Sequence, residues 1–144
     1  MSRIRLIEEA LTESVIGAFF EVYKQLGFGF LESVYSRALE VELRARNHGV
    51  GREVPVPVHY KGIMLGGFRI DTLVDDKVIV EIKSSQVLPI TAKRQLYNYL
   101  KATHLEVGLL LHFGPEPKFY REICTTSNPT LIGPIPLHPP NPAR

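Results

Sequence analysis

The chain has 144 residues, enough for one domain with a real core, and its 44% hydrophobic and 22% charged residues are the ordinary proportions of a soluble globular protein. A formal net charge of +2 permits a phosphate-binding surface without demanding one. No apolar run approaches the roughly 18 residues of a membrane helix, Glu8, Glu9 and Glu13 interrupt any signal-like N-terminal stretch, and the lone Cys124 excludes an internal disulfide or a cysteine-rich zinc site, in keeping with a reducing cytoplasm.

In chain order, Leu11, Val15, Ala18, Phe19, Val22 and Leu26 recur at helical spacing, so Thr12 to Leu26 reads as an amphipathic helix with Thr12 at its N-cap. Gly27-Phe28-Gly29 breaks it. A second helix is expected from about Leu31 to Asn47, burying a stripe of Leu31, Val34, Tyr35, Ala38, Val41 and Ala45, with Gly49 suited to the left-handed turn after it. The period then changes to two. Val54, Val56 and Val58 alternate with Pro55, Pro57 and His59, an edge strand because proline cannot donate to a ladder. Lys61-Gly62 and Gly66-Gly67 punctuate a hairpin leading into a strand over Phe68 to Val74. Asp75-Asp76-Lys77 turns the chain into a central strand, Lys77 to Lys83.

A third helix is expected from about Thr91 to Ala102, then strands at Val107 to His112 and Lys118 to Cys124. Six of the eleven prolines lie between Pro129 and Pro142, so residues 125–144 read as an extended or disordered tail on a domain of residues 1–124. The strand–helix–strand unit implies parallel neighbours and the earlier hairpins antiparallel ones. The expected fold is therefore α/β, a central mixed sheet flanked by helices.

Charge inside the two central strands is the chemical signal. Desolvating an unpaired carboxylate or ammonium costs many kcal/mol, so such groups persist where they pair, bind metal or meet solvent. Asp71 and Glu81 sit on consecutive strands joined by a turn, and Lys83 projects with Glu81 because side chains two apart share a strand face. Two carboxylates with a backbone carbonyl, that of Ile82, form an oxygen set suited to Mg2+, with Mn2+ as a substitute. The lysine is available to orient water or stabilise a phosphorane-like transition state. The competing reading is an ordinary strand-end ion pairing with Arg69 and Lys83. Glu32 and Tyr35, three apart, are expected on one face of the second helix, and Gln95 and Tyr99, four apart, on one face of the third. The basic positions Lys93, Arg94 and Lys101 form a possible backbone track.

Gly29-x-x-Glu32-x-x-Tyr35, Arg69-Ile70-Asp71, Val80-Glu81-Ile82-Lys83 and Gln95-Leu96-x-Asn98-Tyr99-Leu100 together resemble the GxxExxY proteins, a branch of the PD-(D/E)XK nuclease superfamily, from about Leu11 to Ile123. The resemblance implies a restriction-endonuclease-like core and Mg2+-dependent hydrolysis of phosphodiesters, in DNA more than RNA. By position it implies metal-binding roles for Glu32, Asp71 and Glu81, a catalytic lysine at Lys83 and a polar catalytic residue at Gln95. Tyr35, Lys93, Arg94, Tyr99 and Lys101 are the substrate-contact candidates. Ser84 and Ser85 are expected to leave the chemistry untouched. Nucleic acid is the expected partner, with a homodimer or partner protein as a further possibility and no membrane. The rival expectation is a binding or interaction module that keeps the fold without turnover.

Overall fold

A computed structural model describes residues 7–125. The proline-rich segment beyond, expected to be a tail, lies outside the described residues from residue 126 on. The elements run α1 (Glu9–Leu26), α2 (Glu32–Ala45), β1 (Val50–Tyr60), β2 (Ile63–Val74), β3 (Val78–Ser84), α3 (Ala92–Lys101), β4 (Val107–Phe113) and β5 (Pro117–Ile123). The five strands form one sheet in the order β1-β2-β3-β4-β5. Only β3 and β4 are parallel, and α3 makes the crossover between them; the remaining neighbours are antiparallel. The fold is thus α/β, a mixed sheet with helices on both faces.

Two apolar clusters sandwich the sheet. Val15, Phe19, Leu39 and Leu43 pack α1 and α2 against Val80, Leu109, Leu111 and Phe113 on one face. Leu96 and Leu100 of α3 pack against Ile79, Leu110 and Leu73 on the other. Strand β4 is buried along its whole length, as a central strand covered on both faces must be. At Gly108 there is no room for a side chain: a Cβ would lie 2.7 Å from Leu96 Cδ1, so α3 sits directly on the β4 backbone.

Several local expectations need correction. Helix α1 starts a turn earlier than Thr12, with Glu8 at the cap position. The buried Thr12 hydroxyl donates to the Glu9 carbonyl at 3.1 Å, inside the helix. On α2 the buried ridge is Tyr35, Leu39 and Leu43, while Leu31 and Val41 are 75% and 71% exposed. Tyr35 sets that rotation, because its ring stacks on Phe113 at 4.0 Å. After α2 the left-handed residue is Asn47 (φ 68°), not Gly49. His48 N–H bonds Leu43 O and Asn47 N–H bonds Arg44 O, the pairing of a Schellman end.

Strand β1 lies at the sheet edge, where Pro55 and Pro57 are tolerated. It joins β2 through Lys61 and Gly62, both left-handed (φ 48° and 82°), as a two-residue hairpin loop of the mirror-image type requires. Ser14, His48 and Asp75 tie α1 to the α2–β1 connection and the β2–β3 turn. Ser14 Oγ lies 2.7 Å from His48 Nε2, and His48 Nδ1 lies 2.8 Å from Asp75 Oδ2. Burial would raise the Asp75 carboxyl, but its bonds to His48 and to the Gly49 N–H outweigh that and hold it below the usual range.

Candidate active site

The β2–β3 ladder is short. It pairs Val74 with Val78, Leu73 with Ile79 and Thr72 with Val80, then stops. The next residue on each strand is an acid, Asp71 on β2 and Glu81 on β3. Beyond that point β2 continues paired to β1, while β3 stays paired to β4 as far as Ser84. The two acids therefore stand in the fork where a hairpin arm leaves the sheet. Where another rung would form, the Asp71 backbone N–H reaches the Glu81 carboxylate.

A second irregularity sits beside it. The β1–β2 ladder skips the Glu53–Asp71 pair, and Glu53 is left-handed with φ 50°, uncommon for a residue other than glycine. Ile70 and Leu73, three apart, both join the α3-side cluster, which strict alternation forbids. The skipped pair accounts for this by reorienting β2 at Asp71. Such features gather at functional sites, and nothing in the sequence marks Glu53 as one.

Electrostatics tie the acids into one unit. Glu81 is 8% exposed, and its Oε1 has no hydrogen-bond partner. Burial, then the neighbouring Asp71 charge, pushes its pKa from 4.5 up to about 8, against the opposing pull of the Asp71 N–H and Lys83. Asp71 is also raised, by burial and then by Glu32, with Lys83 and Arg52 pulling it back. An orphaned buried carboxylate oxygen beside a second carboxylate is a costly arrangement without a cation. That donor chemistry suits a hard divalent ion, with Asp71 and Glu81 as ligands and the Ile82 carbonyl on the strand between Glu81 and Lys83. Among the described residues, however, no group of three or more His, Cys, Asp or Glu side chains is drawn together as a ready-made metal cage. Glu32 is engaged elsewhere: its Oε2 accepts from the Ser84 backbone N–H at 3.2 Å.

The other expected residues divide. Tyr99 comes to the acids. Its phenol is raised by burial and then by Glu81 and Asp71, its ring stacks on Phe68 at 4.0 Å, and its hydroxyl accepts from Gln95 Nε2 at 2.9 Å. Gln95 therefore meets the site through Tyr99. Tyr35 does not belong to a substrate surface. It is fully buried, its hydroxyl donating to Gly27 O and accepting from Phe30 N–H at 3.3 Å. Lys93 lies over the Tyr120 ring of β5 at 3.9 Å and Arg94 beside Tyr97 at 5.2 Å, on the far side of α3 from the fork; Lys101 is exposed in the last turn of α3. Lys93 and Arg94 thus rest on aromatic rings of β5 and α3 rather than on the acids.

Two residues gain importance. Ser84 is more than a neutral neighbour of Lys83, since its hydroxyl also donates to Phe30 O and fixes the α1–α2 loop against the end of β3. Arg52, facing Thr72 across the β1–β2 ladder, donates to Glu40 at 3.4 Å and Ser36 at 3.2 Å and leaves its own Nε unpartnered. Its charge acts on Asp71, pulling the carboxyl back toward its usual range.

The family model described as PD-(D/E)XK nuclease superfamily matches residues 9–123. Among solved structures, the crystal structure of SSO0001 is similar with a TM-score of 0.53 at 24% identity, covering 82% of this chain and 59% of that one. This likeness concerns the fold, and the chain spans 59% of that protein's length, less than two thirds. No curated protein matches the chain.

Proposed function

We propose, from the premise that this chain belongs to the PD-(D/E)XK nuclease superfamily, that it is a Mg2+-dependent phosphodiester hydrolase acting on nucleic acid, DNA before RNA, and a member of the GxxExxY branch. Residues 1–124 are its nuclease domain and residues 125–144 an appended tail. The observation that carries the reading is the buried, unpartnered Glu81 oxygen beside Asp71 and Lys83, at the point where β2 and β3 part.

Asp71, Glu81 and the Ile82 carbonyl would hold the ion, with Glu32 brought in from the end of β3. Bound there, Mg2+ (or Mn2+) would supply charge neutralisation at phosphate oxygens and a more acidic water. The protein's own part is positional. Lys83, whose charge acts on both carboxylates, meets the phosphate or the attacking water. Tyr99, propped by Gln95 and Phe68, walls the fork on the α3 side. Lys93, Arg94 and Lys101 guide the strand outside it. No helix among the described residues is long and apolar enough to cross a membrane.

The test is cleavage of end-labelled DNA and RNA with and without Mg2+ or Mn2+. Asp71→Ala and Lys83→Ala should each lower cleavage by at least about 100-fold, the scale of losing one transition-state contact, with unchanged circular dichroism. Equal activity in all three proteins would end the proposal. The second reading is a module that keeps the fold and binds without turnover. Calorimetric titration separates the two, because a folded protein taking up no Mn2+ would select the module.

A further inference from the structure

Beside the fork, the loop between α1 and α2 makes a second surface that shares only Glu32 with the proposed hydrolytic groups. Phe28, Phe30 and Leu31 are 43%, 46% and 75% exposed, and with Glu32, Ser84 and Ser85 they line a cleft of about 450 Å³. That volume lies within the roughly 300–1,000 Å³ of small-ligand sites. The loop is built to hold this shape. Gly27 and Gly29 adopt left-handed backbone with open space around them, Tyr35 bonds Gly27 O and Phe30 N–H, and Ser84 Oγ bonds Phe30 O. Phe30 also rests edge-on against Tyr35, with ring centroids 6.1 Å apart. Two aromatic rings are thus held half in water by a network that would hold aliphatic side chains equally well.

We infer that this cleft is a nucleobase subsite, in which Phe28 and Phe30 stack on the base of a nucleotide adjoining the phosphate held at the fork. The inference rests on the proposed nuclease reading and extends it to a substrate class. Glu32 belongs to both places, lining the cleft and acting electrostatically on Asp71 and Glu81. A strand whose phosphate lies at the acids therefore presents its neighbouring sugar and base to the cleft. Base–aromatic stacking accepts any base, because each has a π-face. A paired base inside a duplex has both faces covered, so the subsite selects single strands or frayed ends. A concave site of this size suits one planar ring better than a protein surface, which is flatter and larger.

The experiment uses the full chain and single-stranded or blunt duplex oligonucleotides carrying 2-aminopurine, with Ca2+ replacing Mg2+ so that binding is read without turnover. Single strands should show quenched fluorescence on binding, and duplex little. Phe28→Leu should weaken single-strand binding roughly 5- to 150-fold, the range one stacked base carries, and Phe28→Trp should retain it. Unchanged quenching in Phe28→Leu, or equal quenching of strand and duplex, would overturn the inference. So would a variant that alters self-association in sedimentation while binding DNA normally, since the cleft would then be a protein contact. Quenching without Mg2+-dependent cleavage would support the subsite and remove the hydrolase. Asp71-dependent cleavage without quenching would remove the subsite alone.

Discussion

At the scale of single residues, Glu81 carries the largest consequence. In the cation-free protein the folded state keeps a proton on Glu81 up to about pH 8, whereas the unfolded chain releases it near 4.5. A folded-state pKa raised in this way contributes stability that is full below the unfolded value and lost as pH rises through the folded one. Asp71 shifts in the same direction. Metal-free protein should therefore lose stability, on the order of a few kcal/mol, as pH rises from about 4.5 through about 8. Glu81→Gln should flatten that profile in urea titrations, and wild-type stability rising steadily with pH over this range would contradict it. The Asp71, Glu81 and Lys83 positions were legible in sequence because charge inside strand-like runs is costly and therefore conspicuous. Tyr35 was misread as a substrate contact for a geometric reason. Three residues along a helix leave a rotation of about 60°, enough at the start of α2 to expose Glu32 while burying Tyr35 against Phe113.

Among the elements, α3 decides how Gln95 and Tyr99 meet the sheet. Its seat is Gly108, where an added methyl would enter the space of the fully buried Leu96. Gly108→Ala should cost about 1–3 kcal/mol through overpacking. It should also shift the phenol titration of Tyr99, which depends on proximity to Glu81 and Asp71. Thermal unfolding and ultraviolet pH titration check the two effects, and a variant as stable as wild type would show that Leu96 yields freely. The order and type of the elements were readable from periodicity and turn residues, down to the proline-bearing edge strand. What escaped was the skipped Glu53–Asp71 pair. A left-handed glutamate has no compositional signature, because the conformation is imposed by the strands it joins. The ridge that α2 buries escaped for a similar reason: its apolar residues spread around much of the helix, and the sheet chose among them.

On the scale of the whole molecule, the sheet divides into a buried floor of β3 and β4 and an arm of β1 and β2 standing away from it. The short β2–β3 ladder that places the acids at the fork also leaves β2 with no strand partner on that side from Ile63 to Ile70, among the described residues. Such a row of unmet amides is a template for strand addition by another copy. The arm ends in Ile63, Met64 and Leu65, which are 66%, 64% and 66% exposed, so the template is sticky at its tip. Gatekeeping falls to Lys61 and Arg69, the charges at either end of this stretch. Met64→Lys should raise the concentration at which the protein begins to scatter light, with no loss of thermal stability. An unchanged threshold would place the adhesive surface elsewhere. The early parting of β2 from β3 beside Asp71 thus exposes the chain to recruitment into aggregates, a hazard that grows with expression level and with every mutation weakening the guard charges.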